Sequence, residues 1–238
     1  MPVSLRSFRP AAAALLLLAP ILAPRVMQAQ VGHAPTKSPY EDYDVLQTLT
    51  LTAGQLFVGK DPAGVAPKDG LIGMARYDIR IGGPMGLFVR YMGAPSQRDE
   101  LKPGNPRATR LIGTPSVFTN VIDGGFNLDL TGKKTFHRFL PSVFAGVGMA
   151  SDFAKADSGQ YSFGSNFSFS YGGVLRYIPR HGPQLRLDVS NVFWKYQYPD
   201  TYYVKASDTT SVLTLTRQRS AWRPNKVVSL GVTFPIFR

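Results

Sequence analysis

The 238-residue sequence contains no cysteine. That excludes a disulfide framework, thiol catalysis and cysteine-based metal sites. Histidine is scarce: His33, His137 and His181 are the whole set, too scattered for a metal motif. The acidic loop residues Asp61, Asp99, Glu100, Asp157 and Asp208 are equally dispersed, so no calcium loop is expected. No phosphate-cradling glycine loop or nucleotide fingerprint is present, and no cofactor is expected. Acidic residues are few as well, 15 against 27 Lys and Arg, for a formal charge of +12.

Long apolar runs are missing beyond the amino terminus. There Arg6 and Arg9 precede the apolar run Ala11–Ala23, and Ala29 offers a small residue for cleavage. A run of about 13 residues is too short to cross a bilayer as a helix, and the pattern is that of a secretory signal peptide over residues 1–29. Its removal leaves 24 basic and 15 acidic residues, a formal +9. With no second apolar stretch of that kind, helical membrane spans are excluded. A basic exported chain is expected to meet anionic lipid headgroups, not nucleic acid.

What the sequence does have is 23 Gly, 19 Pro and 12% aromatic residues, a composition that favours many short strands joined by turns. Residues 30–44 are polar and Pro-containing and are expected to be a flexible lead-in. From there to Arg238 the chain shows period-two alternation in eight segments. These run over 46–58, 71–81, 87–93, 118–130, 139–150, 166–177, 184–198 and 226–238. The last is the clearest: Val228, Leu230, Val232, Phe234 and Ile236 alternate with Ser229, Gly231 and Thr233. In the seventh, Leu185, Leu187 and Val189 give way to Val192, Trp194, Tyr196 and Tyr198, which predicts a phase-shifting bulge near Ser190–Asn191.

Every second connection is short. Residues 82–86, 131–138 and 179–183 link segments two to three, four to five and six to seven. The other connections, 60–70, 94–117, 151–165 and 199–225, are long. Short turns on one side and long loops on the other are the habit of outer-membrane barrels, and segments of about 9–11 residues are long enough to cross at a tilt. The fold expected is therefore all-β, a closed antiparallel up-and-down transmembrane β-barrel of eight strands over 45–238, both termini periplasmic. A ten-stranded alternative needs 202–206 and 211–217 to cross as a further hairpin.

The orientation of the faces separates this from a soluble lipocalin-like carrier. The face opposite the apolar one holds Gly146, Gly148, Gly172 and Gly231, together with charges of both signs, which suits a crowded interior. Those charges are Arg76, Asp78, Arg80, Arg90, Asp123, Asp129, Arg176, Arg186 and Asp188, five basic against four acidic. Near-balance in a confined space predicts a paired network plugging the lumen, since an unpaired buried charge is costly. Phe167, Trp194, Tyr196 and Tyr198 at one end, with Phe139 and Tyr177 at the other, are expected to form interfacial girdles.

Three stretches, 129–152 (DLTGKKTFHRFLPSVFAGVGMASD), 171–199 (YGGVLRYIPRHGPQLRLDVSNVFWKYQYP) and 222–238, resemble the small OmpA/OmpX-type outer-membrane barrels, as does the chain from residue 30 onward. The resemblance implies a bacterial outer-membrane protein inserted by the barrel-assembly machinery and surrounded by outer-membrane lipids. It does not fix one activity. A structural or surface-interaction role is expected, with basic outer loops (Arg98, Lys102, Arg107, Arg110, Lys205, Arg217, Arg219, Arg223) able to meet an acidic surface ligand. Two other readings stay open: an outer-leaflet lipid deacylase or acyltransferase, and a small-solute channel or soluble lipocalin-like carrier. The first needs a Ser–His pair near the outer leaflet, whereas His137 and Ser142 fall at the periplasmic end. No catalytic residue is expected.

Overall fold

The structure is a computed structural model that describes residues 38–217 and 219–237. The signal peptide expected over 1–29 lies outside the described residues, as does 30–37. Twelve strands are present among the described residues: β1 (Tyr40–Asp42), β2 (Gln47–Phe57), β3 (Gly70–Gly82), β4 (Met85–Gln97), β5 (Glu100–Leu101), β6 (Leu111–Gly113), β7 (Ser116–Asp129), β8 (Lys134–Phe136), β9 (Phe139–Ser151), β10 (Ser165–Tyr177), β11 (Gln184–Gln197) and β12 (Ser220–Phe237).

Eight of them, β2, β3, β4, β7, β9, β10, β11 and β12, pair antiparallel in chain order. β12 then pairs with β2, from Lys226 opposite Phe57 to Phe234 opposite Leu49, and closes the cylinder. Closure removes the free sheet edge along the paired length of the strands, as a hydrocarbon surround demands. The alternation written in the sequence decides which side faces in. In β10, Phe167, Phe169 and Tyr171 point out and are exposed, while Ser168 and Ser170 point in and are buried.

The outside is apolar on every strand, with Leu51, Leu71, Val89, Ile122, Phe126, Val147, Leu185 and Leu230 each about half exposed or more. In water such a belt would be an aggregation surface. Around a closed barrel it is a lipid-facing band, and the molecule is a transmembrane β-barrel of the outer-membrane type. No helix among the described residues is long and apolar enough to cross a membrane, so the strands do the crossing.

Three expectations need correction. The predicted bulge in the seventh strand does not exist: β11 runs in unbroken register against β10, from Trp194 opposite Ser168 to Leu185 opposite Tyr177, and equally against β12. The lead-in is not uniformly flexible, because Tyr40–Asp42 pair with Lys134–Phe136 of β8, and Tyr43 is buried in the barrel. The ten-stranded alternative fails. Residues 200–203 form a short 3-10 turn and 204–217 contain no strand, so the segment stays in an outer loop.

Candidate functional site

The interior has two different halves. The half nearer the short turns, expected to face the periplasm, is ionic. Arg90 on β4 donates to both oxygens of Asp123 on β7, at 2.9 and 2.5 Å, and Ser170 adds a hydrogen bond of 2.7 Å to the same carboxylate. Arg186 donates to both oxygens of Asp188 at 2.7 and 2.9 Å and also reaches Asp78, which Arg76 holds at 2.7 Å. Asp129 accepts from Arg80 at 2.8 Å, from Arg176 at 3.2 Å and from Ser142 at 2.7 Å. All nine charges named from the sequence thus face the lumen and take part in these contacts.

Two phenylalanines stand among the arginines. Phe88 and Phe144 meet edge to face with centroids 5.4 Å apart, and the Arg76 guanidinium lies 3.9 Å from the Phe88 ring centre. The glycines on the inner face make room for them. A side chain at Gly146 would fall 2.8 Å from the Phe88 ring, and one at Gly172 would fall 2.9 Å from Phe144. Below this layer, Tyr43 enters from the periplasmic end between Arg80 and Arg176 and exchanges a hydrogen bond with Gln184. A cavity of about 20 Å³ lies beside it, the space of roughly one water molecule.

The half nearer the long loops, expected to face outward, is apolar instead. Val192, Trp194 and Tyr196 of β11 point inward, each about 1% exposed. They meet residues that the outer loops lower into the mouth: Val65, Tyr161, Phe163, Tyr198, Tyr202 and Leu213. This overturns part of the interfacial assignment. Trp194, Tyr196 and Tyr198 are core residues, not girdle residues, because β11 keeps its period and the interior, not the strand, changes polarity. Phe139, Phe167 and Tyr177 do point outward. Trp222, Phe169 and Phe193 join them and were missed. Extending the alternation of β12 back by two steps, through Pro224, would have found Trp222.

Polar ties fix the loops above the plug. Asp61 accepts a hydrogen bond from the Tyr198 hydroxyl at 2.5 Å and from the backbone N–H of Ala63, Val65 and Ala66. Tyr161, Tyr198 and Tyr202 stack nearly parallel with centroids 6.3–6.4 Å apart. Burial pushes all three phenols above the ordinary tyrosine range, and the Asp61 carboxylate pushes Tyr198 further. They are therefore neutral, and of the three hydroxyls only that of Tyr198 donates to a partner here, Asp61. Arg98 forms an ion pair of 2.9 Å with Asp157, both side chains less than 5% exposed. Arg110 donates to Thr210 at 2.7 Å.

Of the basic loop residues named from the sequence, Arg98 and Arg110 are thus buried and committed internally, and Arg219 pairs with Asp200 at 2.8 Å. Lys102, Arg107 and Lys205 are exposed. Arg217 and Arg223 line an outer cleft of about 240 Å³ with Pro62, Tyr198, Leu213, Thr216 and Ala221. No carboxylate pairs with either among the described residues. His137 and Ser142 do not form a catalytic pair. The Ser142 hydroxyl is given to Asp129 in the lumen, while the His137 ring packs edge-on against Phe136 in the turn. No group of three or more His, Asp or Glu among the described residues is placed to hold a metal ion.

An eight-stranded barrel of the bacterial outer-membrane type is the class this geometry defines. No family model matches the chain, and no curated protein matches it. Among solved structures it is similar to Ail, the attachment invasion locus protein of Yersinia pestis, described in a phospholipid bilayer nanodisc, at 14% identity and a TM-score of 0.41, covering 79% of this chain and 99% of that one. A crystal structure of the same protein matches at 16% identity and a TM-score of 0.36, covering 80% and 99%. A third, in complex with the heparin analogue sucrose octasulfate, matches at 14% and 0.35, covering 79% and 99%.

Proposed function

We propose that this protein is a non-conducting outer-membrane barrel that works through its outer surface, as a structural and surface-interaction protein, and is not an enzyme. What supports the reading is the packing of two layers of side chains inside the barrel. Paired Arg and Asp side chains with Tyr43 fill the periplasmic half, and the tyrosine-rich loops fill the extracellular half. A solute would have to displace both layers. What remains available for contact is the cap built from the four outer loops. Its cleft between Arg217 and Arg223 suits an acidic group, since guanidinium forks bind carboxylate, sulfate or phosphate oxygens in pairs.

The acyl-transfer alternative finds no support in the position of Ser142, whose hydroxyl is held by an acceptor carboxylate and has no histidine base beside it. Reconstitution in planar bilayers tests the closure: the wild-type barrel is expected to show no steady single-channel steps, and a large steady conductance would refute the reading. Retention on an immobilised uronic-acid polymer tests the surface role. The wild type is expected to bind and the Arg217→Ala, Arg223→Ala double variant to lose most of that binding. Equal retention of the two would remove the cleft from the proposal.

A further inference from the structure

The outward-facing positions of the eight barrel strands carry only two charged side chains among the described residues, Lys195 and Lys226. They sit on neighbouring strands. Lys195 of β11 lies opposite Trp222 of β12, and Lys226 lies opposite Asn191 of β11 on one side and Phe57, the last residue of β2, on the other. Both belong to the extracellular half of the barrel. Their register positions differ by four residues, about 13 Å along a strand, a distance two flexible lysine stems can shorten by bending toward each other.

Between and beside them lies a continuous aromatic panel. Phe169 stacks on Phe193 with centroids 4.5 Å apart and an interplanar angle of 2°. Tyr171 extends the stack from Phe193, and Trp222 contacts both Phe169 and Phe167. An ammonium at acyl-chain depth is costly, so each lysine must extend its head toward the headgroup layer while its stem stays on the apolar wall. Two cations rising to one level beside a flat aromatic surface present an anion site and an acyl-chain bed together.

We infer that the β10–β12 face is a seat for a phosphate-bearing lipid of the outer leaflet, with Lys195 and Lys226 on the phosphate and Trp222, Phe193 and Phe169 under the acyl chains. This is a property of the barrel wall and is independent of the cleft in the cap. The lysines give the lipid one preferred place on the circumference. Elsewhere the wall is uncharged and takes any lipid.

Trp222 reports on the site. The barrel is reconstituted in vesicles of phosphatidylcholine and phosphatidylglycerol, with bromine carried on the acyl chains of one lipid at a time. Brominated phosphatidylglycerol is expected to quench tryptophan fluorescence more strongly than brominated phosphatidylcholine at equal mole fraction, Trp194 being shielded inside the barrel. The excess should fall about fivefold for each lysine removed, vanish in Lys195→Gln, Lys226→Gln, and return in Lys195→Arg, Lys226→Arg. Lys102→Gln, Lys205→Gln on the cap should leave it unchanged. Heat-modified migration on gels checks that each variant is folded. Equal quenching by the two lipids, or an excess that survives loss of both lysines, overturns the inference. Abolition of the excess by inorganic phosphate would show that the lysines take any phosphate, and would overturn the assignment to lipid.

Discussion

Arg90 and Asp123 face each other in register across β4 and β7 and share two hydrogen bonds, with both side chains about 1% exposed. The pair lies at the meeting of the ionic and aromatic layers, since the Arg90 guanidinium also stands 5.0 Å from the Phe144 ring centre. Neither charge can reach water when its partner is lost. Asp123→Ala or Arg90→Ala should therefore destabilise the barrel by about 3–5 kcal/mol. Urea unfolding in detergent micelles, followed by loss of heat-modified migration, measures it. A cost below about 1 kcal/mol, the range of exposed pairs, would mean that the pair is hydrated.

Trp194 and Phe139 are both large aromatics on barrel strands, one 1% and the other 42% exposed. Trp194 packs edge-on against Phe163, lowered from the loop between β9 and β10. Trp194→Ala should cost about 3–5 kcal/mol, because it empties a well-packed site. Phe139→Ala removes a ring that lipid can replace and should cost far less. The same unfolding assay compares them. Similar costs would place Trp194 at the membrane surface instead of in the plug.

The outer cap carries two pH responses of opposite sign. Asp208 accepts hydrogen bonds from the Arg107 backbone N–H and from Thr210, which hold its carboxyl down at about 2. A lowered folded value stabilises above the ordinary carboxylate range, near pH 4, and the contribution disappears as pH falls toward 2. Pepsin digestion of the reconstituted protein should accordingly cut the loops at 98–115 and 198–219 faster at pH 2 than at pH 4, relative to a denatured control. Tyr198 behaves conversely. Its raised value stabilises fully below about pH 10, the free tyrosine range, and the contribution is lost above it. Ultraviolet titration of phenolate should show Asp61→Asn bringing one tyrosine transition to lower pH. An unchanged titration would disconnect the two residues.

The sequence was more legible on the outside of the barrel than on the inside. Lipid contact requires an uninterrupted apolar face, so Leu185, Leu187 and Val189 mark their side of β11 without ambiguity. The inner face obeys no single polarity. It is ionic at Arg186 and Asp188, small at Ser190, and apolar from Val192 to Tyr196. Read by hydrophobicity alone, that change looks like a slip in phase. The loop contribution was illegible for another reason. Tyr161, Phe163 and Tyr202 lie in irregular segments whose burial depends on contacts far along the chain, such as the Tyr161 ring against Tyr202 and Phe163 against Trp194, and no local period encodes those. The lumen charges were legible because each occupies a strict alternate position, yet which Arg takes which Asp depends on register that only strand pairing supplies.

The loop between β11 and β12 gives the sharpest test of the strand count. Tyr202 and Tyr203 are buried in the apolar cluster at the loop end of the barrel, whereas Lys205, Ser207 and Thr209 are exposed. Ala206 and Thr210 close a tight turn between their backbones, and Thr209 takes a positive φ of 62° at its tip. A turn of that kind projects from the cap and has no ladder partner in the barrel. A cysteine placed at Ser207, in a protein that has none of its own, should react with a membrane-impermeant maleimide on intact cells. Cysteine at Thr131, in the turn at the opposite end, should react only after the outer membrane is permeabilised. If Ser207→Cys stays unlabelled on intact cells while Thr131→Cys is labelled, the barrel is inverted. If neither reacts until permeabilisation, residues 204–217 do not stand outside the membrane and the eight-stranded count is wrong.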